Sequence, residues 1–213
     1  MNQNEIALPA SSSQLPHASQ LPLAQRFSAI PLAFCCFAIG SILIGFVNTG
    51  LITSVTALPV GSCIATSGVG LFIGSISELL KGETLTGTAM GIYSGFYFAY
   101  GILFIPSSGF LESTVQTGGL REVQKCAALF SFVYAVPAFM LFLGSLKQAW
   151  LVRFLMLQVT LAYFLSGLGN AMGNTPLVVA GGWFSITLGI TAWYMAAAML
   201  FTKENTYFVL PLF

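Results

Sequence analysis

The chain has 213 residues, of which 56% are hydrophobic and 6% are charged, and its net charge is +1. A soluble domain carries about 25% charged residues, whereas the mean hydropathy here is +0.88. This composition excludes a water-soluble globular domain. The seven Lys and Arg residues are scattered singly, which excludes a basic patch for nucleic acid. We expect an all-α membrane protein that crosses the bilayer several times.

Residues 1–26 differ in composition from the rest of the chain. They include the run Ser11–Ser13, several prolines and few large apolar groups, so we expect a disordered tail. The segment lacks a basic stretch followed by an apolar stretch, which argues against a secretory signal peptide. The single histidine, His17, lies in this tail, and a histidine-based triad or zinc site is therefore not expected.

Six apolar runs follow the tail, each close to the roughly 20 residues that a helix needs to cross a bilayer. The connections between them are short except for 108–125, which carries four charged residues, and long structureless loops are absent. We therefore predict one domain over residues 27–213, a bundle of six transmembrane helices. The predicted spans are 31–53, 58–80, 87–107, 126–146, 150–170 and 177–201.

The basic residues predict how the bundle is oriented. Six spans place both termini on the same side of the membrane, and cytoplasmic loops carry an excess of Lys and Arg. The side of the termini holds five basic residues and the other side holds two. We expect cytoplasmic termini and a plasma-membrane location. The five are Arg26, Lys81, Lys147, Arg153 and Lys203, and the two are Arg121 and Lys125.

One face of the first span combines aromatic and polar residues. Phe34, Phe37, Ser41, Ile44 and Asn48 recur at helical spacing, so they lie on one side of the helix. This order is typical of an apolar constriction that leads to a polar vestibule. The alternative is a packed helix whose asparagine bonds a neighbouring backbone, and the sequence leaves both open.

The fifth span carries a matching stripe. Val159, Tyr163, Ser166 and Asn170 share one of its faces, and Asn170, like Asn48, stands beside glycines at the end of an apolar run. A polar amide in hydrocarbon costs several kcal/mol unless it finds a partner or lines a cavity. Two such asparagines at equivalent points predict a solute path. We expect Ser41, Asn48, Tyr163, Ser166 and Asn170 to line its vestibule.

The third span has two different faces. Gly87, Gly91 and Gly95 recur every four residues, a spacing that lets another helix approach closely. Tyr93 falls on a different face, because two residues rotate the helix by about 200°. We interpret the glycines as a packing surface, within or between chains, and Tyr93 as a residue that lines the path.

The second span contains one acidic residue, Glu78, close to its end. An acid within the membrane is a candidate functional residue, here for proton coupling, and the alternative is an ion pair with Lys81 at i+3. The four cysteines fit no metal or redox spacing, and no nucleophile lies beside a base in the spans. We therefore expect neither an enzyme nor a bound cofactor or metal.

Several short segments resemble the acetate uptake transporter family, which includes bacterial succinate–acetate permeases and fungal acetate and ammonia-export proteins. Asn48–Gly50 is similar to the family's H-N-A-G segment, Glu78–Thr84 to its E-Y-K-x-G-N-T turn, and Gly144–Lys147 to its G-T-L-K. The resemblance runs from about Ser28 to Leu212. Of the family's N-P-A-P-L-G-L, only Pro31 and Leu32 remain.

The resemblance implies a fold, an assembly and a function. Such proteins are six-helix bundles that form hexamers, and each copy has its own path for small carboxylates. Their narrow point, carried over by alignment, becomes Phe37, Tyr93 and Val159, where Val replaces a family Leu and widens the gate slightly. Leu71 stands where the family has a Gln. We expect a permease for acetate, with succinate as a further candidate. Another small solute such as ammonia, or a scaffold or sensor that transports nothing, remain alternatives.

Overall fold

The computed structural model describes residues 28–212, so the tail predicted for residues 1–26 lies outside the described residues. Within that range the chain forms six long helices. They are α1 (Ile30–Thr49), α2 (Val60–Leu80), α3 (Thr84–Phe104), α4 (Phe110–Gly144), α5 (Trp150–Met172) and α6 (Thr175–Leu200). All except α3 pass a simple length-and-hydropathy criterion for membrane spans. The tyrosines, threonines and glycines of α3 lower its hydropathy below that criterion.

Proline and glycine fix several of the helix ends. Pro31 occupies the first turn of α1, and Gly50 ends that helix with a left-handed φ of 65°. Glycine adopts this conformation without the steric cost that other residues have. Gly173 (φ 67°) ends α5 in the same way, and the Asn174 side chain then accepts a hydrogen bond from the Leu177 amide at the start of α6. The reversal between α5 and α6 is therefore only two residues long.

The fourth helix extends beyond the predicted span 126–146 and takes in most of the predicted connection 108–125. The fourth helix already begins at Phe110, is interrupted by non-helical backbone at Gly118 and Gly119, and continues to Gly144. The sequence prediction relied on hydropathy, which measures suitability for hydrocarbon and not helix formation. This segment is too polar for a bilayer core, yet its backbone is helical on both sides of the glycine pair.

The six helices form a closed ring. Each helix packs against the next in chain order, and α1 closes the ring by packing extensively on α6. Small residues make the close contacts: a side chain at Gly70 or Gly74 of α2 would collide with Cys36 or Ala33 of α1. The outer surface of the ring is apolar, with residues such as Val136 and Met140 more than 60% exposed. Such a surface is suited to lipid, and the chain is an integral membrane protein.

Candidate functional site

The ring encloses two cavities in opposite halves of the bundle. The wide cavity, of about 240 Å³, lies in the half that contains Thr49 and Met172, and residues of α1, α3, α4, α5 and α6 line it. The narrow cavity, of about 140 Å³, lies in the half that contains Ile30 and Leu200. None of the side chains that line either cavity is charged. The interior is therefore polar only through hydroxyl, amide and thiol or thioether groups.

Phe37 separates the two cavities, since it is the residue that lines both. Its ring centroid lies 5.6 Å from that of Tyr93, which lines the narrow cavity. Val159 lines the wide cavity. Phe37 and Tyr93 are each 3% exposed and Val159 is 1% exposed, and all three belong to one buried cluster. The structure thus packs Phe37 against Tyr93 and places Val159 in the same buried cluster. We name these three residues, which form the predicted narrow point, the apolar plug.

All five residues predicted for the vestibule line the wide cavity. They are Ser41, Asn48, Tyr163, Ser166 and Asn170. The Asn170 amide nitrogen donates to the Ser166 carbonyl at 2.8 Å, within its own helix. In the described part of the chain no hydrogen bond to the Asn48 side chain is found. Neither amide therefore bonds the backbone of a neighbouring helix, which was the alternative to a place in the vestibule.

A buried hydrogen-bonded chain crosses between α1 and α3 beside the plug. The Tyr97 hydroxyl donates to the Phe37 carbonyl at 3.1 Å and lies 2.7 Å from the Ser41 Oγ. Tyr97 is 2% exposed. The sequence places Tyr97 with Tyr93 and Tyr100 on the face of α3 that presents phenols, but we assigned it no role from the sequence. Helical spacing gives the face but does not distinguish Tyr97 from the other two tyrosines.

An arginine lies at the open rim of the wide cavity. The Arg121 guanidinium donates to the Asn170 carbonyl at 3.1 Å, to the Gln124 Oε1 at 3.1 Å and to the Ala171 carbonyl. It satisfies carbonyls that the end of α5 leaves free and places a positive charge at the negative end of that helix. The sequence placed Arg121 only in the connection between the third and fourth spans and gave no signal of this contact.

The narrow cavity is the more apolar of the two. The Tyr93 hydroxyl donates to the Met156 thioether at 3.7 Å, a weak bond to a soft acceptor. Met90, Met195 and Leu71 also line this cavity. Leucine at position 71, where the resembling family has Gln, therefore removes a polar group from the cavity wall.

Glu78 lies away from both cavities. Glu78 is 2% exposed, and its carboxylate forms an ion pair with the Lys81 Nζ at 2.6 Å. Neither residue lines a cavity. The geometry matches the ion pair that the sequence left open as the alternative to proton coupling. The pair joins the end of α2 to the turn that leads into α3.

The three glycines of α3 do not behave alike. A side chain at Gly87 would collide with Leu79 of α2, and one at Gly91 would meet the Ser75 Oγ at 2.9 Å. A side chain at Gly95 would meet no atom of the described chain within 4 Å. Gly87 and Gly91 therefore pack within the chain, whereas Gly95 lies on the outer surface of the ring.

Comparison with known proteins places these features in a family. A model of the GPR1/FUN34/yaaH family matches residues 12–213. The chain is 24% identical to acetate permease A of Emericella nidulans over 99% of this chain and 74% of that one. It is also 24% identical to the succinate-acetate/proton symporter SatP of Escherichia coli, over 85% and 93% of the two chains.

A solved structure shares the fold. The structure of the bacterial acetate channel SatP superposes with a TM-score of 0.73 at 23% identity, and the match covers 87% of this chain and 98% of that one. At this identity the likeness establishes the fold alone. The family match, in contrast, spans nearly the whole sequence, and the chain belongs to the GPR1/FUN34/yaaH family.

Proposed function

We propose that the chain is a membrane permease for short monocarboxylates, with acetate as its principal substrate and succinate as a further candidate. The observation that carries the proposal is the pair of uncharged cavities that meet at Phe37. A path of this kind has a binding space on each side of a single narrow point. The relatives named for acetate and succinate transport support the substrate class.

The polar residues of the wide cavity suit a small carboxylate. The Asn48 amide and the Tyr163 and Ser166 hydroxyls can donate hydrogen bonds to its oxygens. Because no Lys or Arg lines the cavity, binding stays weak, and conduction requires a solute that leaves as readily as it enters. Arg121 at the rim adds a positive charge where an anion would approach.

At the apolar plug it matters whether the substrate is the carboxylate anion or the protonated acid. A bare carboxylate in an apolar environment costs far more than a neutral acid. Passage of the protonated acid would move one proton with each substrate, and passage of the anion would move none. A coupling role for Glu78 is not part of the proposal, because its carboxylate pairs with Lys81 away from both cavities.

The cellular setting is also a proposal. The excess of basic residues on the side of the termini supports cytoplasmic termini, and the wide cavity then faces outward in the plasma membrane. The exposed Gly95 supports assembly into a homo-oligomer, because a glycine on the outer surface lets a helix of another copy approach closely. By resemblance to the family, we propose a hexamer in which each copy has its own path.

Uptake of radiolabelled acetate by proteoliposomes tests the function. We expect saturable uptake above that of protein-free liposomes, and we expect propionate to compete with it. Repeating the assay with the interior more alkaline than the exterior separates the two forms, because proton-linked passage is accelerated and passive passage of the anion is not. Uptake of methylammonium without uptake of acetate would favour the ammonia alternative, and uptake of neither would favour a scaffold or sensor.

A further inference from the structure

We propose that Tyr97 is a positioning residue that holds Phe37 in the apolar plug and thereby sets the size of solute that passes. The inference rests on the proposed function. Its basis is the chain of hydrogen bonds between α1 and α3, at the level where the two cavities meet.

The direction of each bond follows from counting protons. A phenol has one proton, and that of Tyr97 goes to the Phe37 carbonyl at 3.1 Å. The proton in the 2.7 Å contact between Ser41 and Tyr97 must then come from Ser41. The chain therefore runs from the Ser41 hydroxyl through the Tyr97 hydroxyl to the Phe37 carbonyl. Ser41 presents only acceptor lone pairs to the wide cavity in this arrangement.

Tyr97 holds Phe37 in two ways. Its hydroxyl ties the backbone of Phe37 to α3, and its ring meets the Phe37 ring edge-on, with centroids 6.0 Å apart. Tyr93, one helical turn earlier on α3, also packs against this ring, with centroids 5.6 Å apart. The position of the Phe37 ring relative to α3 therefore depends on Tyr97. Within α1, the same carbonyl also accepts the Ser41 amide, as in any α-helix.

The substitution Tyr97→Phe removes the tie without leaving a buried polar group unpaired. Ser41 loses its acceptor, but serine in a helix can donate to the carbonyl four residues earlier, which here is that of Phe37. The ring of residue 97 remains and keeps its packing. We therefore expect a folded protein in which α1 is no longer fixed to α3 beside the plug.

Tyr134→Phe provides a matched control. Tyr134 belongs to the same aromatic cluster as Tyr97, since its ring centroid lies 5.1 Å from that of Phe96. It lines neither cavity. No hydrogen bond to its hydroxyl is found among the described residues. The variant removes the same chemical group as Tyr97→Phe and leaves the plug untouched.

The experiment compares the two variants with the wild type in proteoliposomes. The readout is the ratio of butyrate uptake to acetate uptake, with thermal stability measured in parallel. For Tyr97→Phe we expect this ratio to rise about fivefold, as loss of one net hydrogen bond at a barrier allows. We expect the ratio to stay at the wild-type value in Tyr134→Phe. A second readout, hydrogen exchange of the α1 amides near Phe37 and Ser41, should become faster only in Tyr97→Phe.

The outcomes separate this inference from the proposed function. If the wild type transports acetate and Tyr97→Phe keeps the wild-type ratio, the positioning role is overturned and the proposed function stands. A fall in uptake of both acids by one factor, together with lower stability, would make Tyr97 merely structural and would also overturn it. If the wild type transports neither acid, the proposed function fails. Hydrogen exchange then tests the hydrogen bond from Tyr97 to the Phe37 carbonyl by itself. Equal exchange rates in Tyr97→Phe and the wild type would refute its positioning role.

Discussion

The close contact between α2 and α3 at Gly91 offers a quantitative test of the packing. A methyl group added at Gly91 would meet the Ser75 Oγ at 2.9 Å, which is shorter than a carbon–oxygen contact allows. That Oγ donates a 2.7 Å hydrogen bond to the Gly87 carbonyl. A larger side chain must therefore displace Ser75, break this bond and push the two helices apart.

The expected cost of Gly91→Leu follows from these contacts. Overpacking costs typically 1–3 kcal/mol, and the lost hydrogen bond adds about 1 kcal/mol. Replacing glycine within a helix returns about 1 kcal/mol. The net destabilisation is then about 1–3 kcal/mol. For a chain of this length, each kcal/mol lowers the melting temperature by about 2–4 °C.

Gly95→Leu is the matched control, one turn further along α3. A side chain at Gly95 meets no atom of the described chain within 4 Å, so we expect no fall in the melting temperature of the protomer. Thermal unfolding of both variants in detergent, followed by intrinsic fluorescence, makes the comparison. A Gly91→Leu variant as stable as the Gly95→Leu variant would refute the packing that the structure shows. Size-exclusion chromatography of Gly95→Leu separately tests whether this exposed position contacts another copy.

Two further predictions concern the path, and a third concerns the contact at the end of α5. Phe37→Ala and Tyr93→Ala each remove an aromatic wall of the plug, so acetate uptake should rise and butyrate uptake should rise more; unchanged uptake ratios would place the gate elsewhere. Asn48→Leu and Asn170→Leu should weaken acetate uptake while both proteins still fold. Asn48→Asp should lower acetate uptake further, because a fixed negative charge repels the anion. Wild-type kinetics in both leucine variants would exclude the vestibule role. Arg121→Ala should lower the melting temperature by about 2–6 °C, since it removes exposed charge-assisted hydrogen bonds to the end of α5. A melting temperature equal to that of the wild type would show that this contact contributes no stability.

The transmembrane architecture could be predicted because its signals are local. Apolar runs near 20 residues long fix the spans, and Pro31, Gly50 and Gly173 sit at helix ends. The face that carries Phe37, Ser41 and Asn48 follows from helical periodicity, and the structure places all three in the lining of the wide cavity. The grouping of Phe37 with Tyr93 and Val159 came from family resemblance, since sequence spacing within one helix cannot align three helices.

The features that were missed depend on contacts between distant residues. Tyr97 meets Ser41 and Phe37 across a gap of more than fifty residues, and nothing in the α3 sequence distinguishes it from its neighbouring tyrosines. Arg121 meets the end of α5 only because the polar first part of α4 is already helical, which hydropathy does not report. The stripe of glycines gave the correct face at Gly91, but its periodicity could not show that the packing surface ends before Gly95.

The central claim is that one chain encloses a path for short monocarboxylates through the plug at Phe37. Counterflow tests it most directly, because it detects exchange whether or not protons are coupled. Proteoliposomes loaded with unlabelled acetate are placed in a trace of radiolabelled acetate. We predict a transient accumulation of label that protein-free liposomes lack and that Phe37→Ala accelerates. The absence of protein-dependent counterflow in the wild type would contradict the account.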